Sequence, residues 1–106
     1  MTKLRSFAKH IGIQYDFRNF GNKKYLQSVA FVSGSANDIL TELMQKPYDL
    51  YITGELKHSS FCKAKEIKQS ILLGGHYETE VFGVRALAQH LEKKFKIKTV
   101  FLDEKY

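Results

Sequence analysis

The chain has 106 residues, a length that suits one domain with a modest core and excludes two. Its 17 Lys and Arg outnumber 11 Asp and Glu, and the resulting net charge of +6 permits nucleic-acid or phosphate partners. No apolar run approaches the roughly 20 residues that cross a bilayer, and the first residues lack the apolar core of a secretory signal. Cys62 is the single cysteine, which excludes an intrachain disulfide and fits a reducing cytoplasm.

The first third of the chain predicts a helix and two strands. Apolar residues recur with helical spacing over 2–11, and Gly12 stands where a helix commonly ends. Alternation of apolar and polar residues over 13–17 predicts a half-buried strand. The continuous apolar run at 29–32 is typical of a central strand that is covered on both faces.

A small-residue loop at 33–35 follows that strand and precedes a helix. Ser35 with Asp38 three residues later resembles a capping box for that helix. The remaining predicted elements are, in order, a strand, a helix, a strand, a helix and a strand, at 49–53, 59–69, 70–74, 76–94 and 99–102.

From Val29 onward, strands and helices alternate with short connections. This order predicts an α/β fold with a mainly parallel sheet, helices on both faces, and the 13–17 strand as an extra edge strand near the N-terminus. Residues 1–106 are expected to form a single domain. The longest helix carries an apolar stripe of helical period, which predicts its buried face: Val84, Leu87, Ala88, Leu91 and Phe95.

Polar residues suited to chemistry follow two of the predicted strands. In an open α/β sheet, ligands bind beyond the carboxyl ends of the strands, where Glu55, His58, His76 and Glu80 are expected. His76 and Glu80 are four residues apart and leave the same face of a helix, so they could bind one divalent cation through nitrogen and oxygen. The alternatives are an exposed salt bridge for that pair, a helix-capping role for Glu55 and a surface position for His58.

Two ordered motifs resemble a known family. Residues 49–58 read Asp-Leu-Tyr-Ile-Thr-Gly-Glu-Leu-Lys-His, and residues 75–80 read Gly-His-Tyr-Glu-Thr-Glu. Together with the loop at 32–35, they resemble the C-terminal half of the NIF-three-like proteins, which are also described as homologues of GTP cyclohydrolase type two-like enzymes. The resemblance extends from about Leu4 to the end of the chain.

The resemblance implies a dinuclear metal centre between two similar α/β halves. It implies that His76 and Glu80 are metal ligands, and that Glu55 and His58 line the same cavity as candidate catalytic residues that move protons. The cofactors would be divalent metal ions, two per complete site, with Zn, Fe, Mn or Mg as candidates. Ser59 stands where the family often has a second histidine, and the histidine pair and aspartate of the other half have no counterpart in this sequence.

The resemblance therefore implies a divalent-metal-binding domain of a metal-dependent hydrolase, incomplete and inactive without an N-terminal half. Its expected partners are further copies of itself, in a dimer or larger oligomer, or a separate N-terminal half. The alternative is a non-enzymatic basic module that binds nucleic acid or a regulatory protein. A third hypothesis is a metal-free structural half.

Overall fold

The computed structural model describes residues 2–10 and 16–103. Within these residues the helices are α1 (Leu4–His10), α2 (Ile39–Gln45), α3 (His58–Glu66) and α4 (His76–Phe95). The strands are β1 (Thr2–Lys3), β2 (Asp16–Arg18), β3 (Tyr25–Leu26), β4 (Val29–Ser35), β5 (Leu50–Glu55) and β6 (Ile71–Leu73).

The main sheet has four strands in the order β2-β6-β5-β4. Strands β4, β5 and β6 are parallel, and β2 pairs antiparallel with β6 at the edge. Strands β1 and β3 form a separate antiparallel pair. The predicted α/β fold with a mostly parallel sheet is confirmed. The predicted edge strand at 13–17 lies partly outside the described residues, and its described end, Phe17, lies in β2.

Two apolar clusters fill the core, and successive residues of β5 alternate between them. Tyr51 packs with residues of α2, α3 and β6, whereas Leu50 and Ile52 pack with Leu4 of α1 and Leu72 of β6. Side chains of neighbouring residues in a strand point to opposite faces, which explains the alternation. The predicted placement of helices on both faces stays a prediction, because α4 leaves most of its length exposed.

The prediction that residues 29–32 form a central strand was wrong. Strand β4 is the edge strand of the described sheet, and the Phe31 side chain is 53 % exposed. An apolar run indicates that a strand is to be covered, but it does not identify what covers it. The predicted loop at 33–35 is the end of β4, and Asp38 at the start of α2 makes no side-chain capping hydrogen bond, so the capping box was also wrong.

The predicted strand at 99–102 is absent from the described residues, where this segment is irregular. It is held against α4 by Glu92, which accepts hydrogen bonds from the backbone and hydroxyl of Thr99. The Arg85 guanidinium also lies 4.3 Å from the centre of the Phe101 ring. A strand requires a neighbouring strand to satisfy its backbone, and within the described residues this segment has none.

The apolar stripe of α4 was predicted to be buried, and this was wrong for most of its residues. Val84, Leu87 and Phe95 are each 58 % exposed, and the only side chain of α4 that is buried is Thr79, among those described. The periodicity is present, but no described layer covers it. No helix in the described part of the chain is long and apolar enough to cross a membrane.

Candidate metal-binding site

The carboxyl ends of β4, β5 and β6 meet the N-terminus of α4 in one place. Backbone hydrogen bonds join them, because the Gly75 amide donates to the Gly54 carbonyl at 2.8 Å and the Gly74 amide donates to Thr53 at 2.9 Å. A Cβ at Gly54 would lie 2.1 Å from the Gly34 carbonyl oxygen and 2.8 Å from the Cα of His76. Glycine at position 54 therefore allows the three strand ends to approach closely.

His76 lies at the centre of this junction, between two carboxylates. Its Nδ1 is 3.0 Å from Glu55 Oε1, and its Nε2 is 2.5 Å from Glu80 Oε1. The first contact joins β5 to α4, and the second joins successive turns of α4. The structure thus brings together three of the four predicted site residues.

The electrostatics of the junction favour a positive charge on the His76 ring. Its hydrogen bond with Glu55 raises the pKa of His76 above the usual value, the burial of the ring opposes this rise, and the charges of Glu80 and Glu55 add to it. A divalent cation, being positive, would be favoured by the same two carboxylates and would compete with the proton for the ring.

His58, the fourth predicted residue, is not part of this contact group. It begins α3, and its Nε2 lies 3.5 Å from the Sγ of the exposed Cys62. Within the described residues no hydrogen bond or ion pair links His58 to Glu55, His76 or Glu80. Its predicted catalytic role stays a prediction.

Thr79 is a further residue of the junction, beyond the four predicted site residues. Its side chain is buried, its hydroxyl accepts the Gly34 backbone N–H at 3.0 Å, and it donates to the Gly75 carbonyl at 2.8 Å. Thr79 therefore joins the end of β4 to the first turn of α4. The only signal for this role in the sequence is that a hydroxyl-bearing residue stands between two acidic residues near the start of a helix.

The donor atoms fit a divalent cation in type, and the space beside them is open. A Cβ at Gly34 would lie 2.7 Å from Glu80 Oε1 and 3.3 Å from His76 Nε2, so the glycine leaves room where a bound ion would contact both donors. Two ligands bound at about 2.0–2.2 Å stand about 3 Å apart, so the exposed Glu80 carboxylate must rotate slightly to bind. In the described residues, no group of three or more His, Cys, Asp or Glu forms a complete metal site.

An open cleft of about 480 Å³ lies beside the two donors. His76 and Glu80 form its polar end, and Val84 of the exposed stripe and Phe101 belong to its apolar wall. The junction is therefore continuous with the uncovered face of α4.

A second cleft, of about 460 Å³, lies among α1, β1 and the turn that follows β2. Because Arg18 of β2 pairs with Ile71 at the start of β6, this turn lies at the opposite end of the sheet from His76. Five cationic residues scattered along the sequence line this cleft: Lys3, Arg5, Lys9, Lys23 and Lys24.

Comparison with known proteins identifies the family. A family model described as Duf34/NIF3 (NGG1p interacting factor 3) matches residues 2–106. The chain belongs to this family. The resemblance predicted from the motifs at 49–58 and 75–80 is thereby confirmed.

Curated relatives named GTP cyclohydrolase 1 type 2 homolog match most of the chain. The protein from Treponema pallidum is 40 % identical over 81 residues, which is 76 % of this chain and 28 % of the relative. The protein from Pyrococcus abyssi is 40 % identical over 78 residues, covering 74 % of this chain and 31 % of the relative. The aligned part of this chain thus corresponds to about a third of the length of these relatives.

Solved structures show the same fold. A Thermus thermophilus protein matches with a TM-score of 0.77 and 36 % identity, over 98 % of this chain and 43 % of that one. Reduced HcgD from Methanocaldococcus jannaschii matches with a TM-score of 0.74 and 22 % identity, over 92 % of this chain and 41 % of that one. The second similarity concerns the fold alone.

Proposed function

We propose that this Duf34/NIF3 chain supplies part of a divalent-metal site in a metal-dependent hydrolase, with His76 and Glu80 as ligands. The observation that carries the proposal is the convergence of His76 Nε2 and the Glu80 carboxylate beside the space that Gly34 leaves open. Imidazole with carboxylate suits Zn, Fe and Mn, and Mg is a weaker candidate because it prefers oxygen ligands.

A divalent cation at this position would polarise a substrate oxygen or activate water for hydrolysis. The chain's own contribution is to hold the ion on the first two turns of α4. His58 is the candidate proton carrier, because its ring is exposed at the start of α3, immediately after β5. The complete site of the proposal holds two cations, which requires more ligands than the described residues bring together.

We expect the missing ligands to come from a protein surface that covers α4. Residues such as Val84 and Leu87 form an uncovered apolar face that continues into the cleft beside His76 and Glu80. Exposed apolar patches of this kind mark interaction surfaces. The proposed occupants are a second copy of this chain, in a dimer or larger oligomer, or a separate N-terminal half that supplies the rest of the relatives' length.

The test is a titration of the purified chain with Mn²⁺ and Zn²⁺, beside His76→Ala and Glu80→Ala variants. His90→Ala is the matched control, because it removes an exposed histidine from the same helix. Binding that is lost in both site variants and kept in His90→Ala would support the proposal. Binding that survives in the site variants would contradict the proposal, and absence of binding at saturating metal in every protein would contradict completion of the site by copies of this chain.

The second candidate function is the binding of nucleic acid through the basic cleft. It is favoured by the five cations around one cleft, and it does not require the metal site. For a single-stranded oligonucleotide, five phosphate contacts predict a slope of about −3.5 in log K against log salt. Arg5→Gln/Lys9→Gln should weaken binding and flatten this slope, whereas Lys63→Gln/Lys65→Gln removes equal charge elsewhere and should do so less. Equal effects would contradict a defined cleft.

A further inference from the structure

We infer that Glu55 is a positioning residue that fixes the orientation and tautomer of His76, rather than a metal ligand or a proton carrier. The inference rests on the proposed function, because it concerns how the His76 ring is prepared for a cation. A carboxylate lies at each edge of the ring: Glu55 Oε1 is 3.0 Å from Nδ1, and Glu80 Oε1 is 2.5 Å from Nε2.

The backbone holds Glu55 in this position. Glu55 ends β5 and pairs with Ser35 of β4, and the adjacent Gly54 carbonyl accepts the Gly75 amide one residue before His76. The backbone segments that carry the two side chains are thus joined by a hydrogen bond, and the bonded residues are the immediate neighbours of Glu55 and His76. The fold therefore brings the two side chains within reach of each other, and both remain exposed, His76 at 41 % and Glu55 at 60 %.

A neutral imidazole carries one proton, and its position decides which nitrogen can bind a metal. Each ring nitrogen of His76 faces a carboxylate, Glu55 at Nδ1 and Glu80 at Nε2, so the two carboxylates compete for the single proton while no cation is bound. A cation bound by Nε2 and Glu80 would leave Nδ1 as the protonated nitrogen, where the Glu55 carboxylate accepts its N–H. The same geometry argues against Glu55 as a ligand of that cation. The two ring nitrogens point in diverging directions, so a carboxylate bonded to Nδ1 lies on the far side of the ring from an ion on Nε2.

The alternative of a proton carrier is disfavoured for the same reason. A residue that exchanges protons with a substrate must reach the substrate, whereas the Glu55 carboxylate oxygen nearest the ring is engaged with Nδ1. Its contribution therefore passes through His76.

The experiment combines a tautomer measurement on the metal-free protein with a Zn²⁺ titration. The ¹⁵N shifts of the His76 ring are recorded at alkaline pH, where the ring is neutral, in a Glu80→Ala background that removes the competing acceptor at Nε2. They should show the proton on Nδ1, and its movement toward Nε2 when Glu55→Ala is added. The affinity for Zn²⁺ should fall about 10- to 100-fold in Glu55→Ala. Glu55→Gln should restore much of both, because its amide oxygen can still accept the Nδ1–H.

Glu66→Ala is the charge-matched control, since it removes an exposed carboxylate at the end of α3 and should change neither readout. An unchanged tautomer when Glu55→Ala is added to the Glu80→Ala protein would overturn the inference. So would a complete loss of Zn²⁺ binding in Glu55→Ala that Glu55→Gln does not rescue, because that result would make Glu55 a ligand. If the wild type binds no Zn²⁺, completion of the site by copies of this chain fails, but the tautomer of the metal-free ring in the Glu80→Ala background still decides the role of Glu55.

Discussion

Gly54 is the residue at which the packing of the junction can be tested most severely. An alanine Cβ there would lie 2.1 Å from the Gly34 carbonyl oxygen, 2.8 Å from the Gly75 carbonyl oxygen and 2.8 Å from the Cα of His76. All three atoms belong to the backbone of neighbouring elements, so no side-chain rotation relieves the overlap. The strand ends would have to separate.

Overpacking of a well-packed core costs typically about 1–3 kcal/mol and occasionally more, and three backbone overlaps place Gly54→Ala at about 3 kcal/mol or above. This is a large part of the roughly 5–15 kcal/mol that stabilises a small domain. At about 4–8 °C per kcal/mol, the melting temperature should fall by roughly 12–24 °C. The free energy of unfolding is measured by urea denaturation followed by circular dichroism.

Gly83→Ala is the matched control for this experiment. Its Cβ would meet no atom within 4 Å, and it lies within α4, so alanine should stabilise the chain by about 0.5–1 kcal/mol. The two substitutions add the same methyl group, but Gly54→Ala should lower the free energy of unfolding and Gly83→Ala should raise it. A Gly54→Ala protein with a free energy of unfolding close to that of the wild type would refute the close approach of the strand ends, and with it the basis for the contact between Glu55 and His76.

Three further predictions concern the junction and the face of α4. Thr79→Val leaves the buried Gly34 N–H without its acceptor and should cost about 1–3 kcal/mol in urea denaturation, whereas Thr79→Ser, which keeps the hydroxyl, should cost less. The folded-state pKa of His76 is raised, so its stabilising contribution is complete below the unfolded value of about 6.5 and is lost as the pH rises through the folded-state value. As the pH rises from the unfolded-state pKa to the folded-state pKa, the free energy of unfolding of the wild type should therefore fall relative to that of His76→Ala. Equal pH dependence of the two proteins would contradict this. Leu87→Asp should reduce self-association in sedimentation velocity while changing monomer stability by no more than about 0.5 kcal/mol, and unchanged self-association would argue against α4 as the interface between copies.

The sequence predicted the elements around the site well, because their signals are local. Apolar runs, a helix-breaking proline and helical periodicity located β5, α3, β6 and α4 to within a few residues. The environment of an element is not a local property. The apolar runs at 29–32 and 99–102 and the stripe of α4 indicate surfaces to be covered, and the sequence alone could not show that the described chain leaves them partly open.

The candidate site was predictable only where residues on one element carry the signal. The spacing of His76 and Glu80 is sufficient to place them on one helix face. The position of Glu55 at the opposite edge of the His76 ring depends on how β5 meets α4, which no spacing along the chain encodes. Gly54 did carry a signal, because a glycine within an otherwise buried strand often marks a close backbone approach.

The most direct test of the central claim is the position of a bound metal. Crystals of the chain soaked in Zn²⁺ should give an anomalous peak about 2.0–2.2 Å from both His76 Nε2 and a Glu80 carboxylate oxygen, with Glu55 still on Nδ1. The peak heights in a Glu80→Ala crystal, soaked identically, provide the control. A dominant peak on Nδ1 of His76, or at residues away from this junction, would contradict the assignment of His76 and Glu80 as the metal ligands.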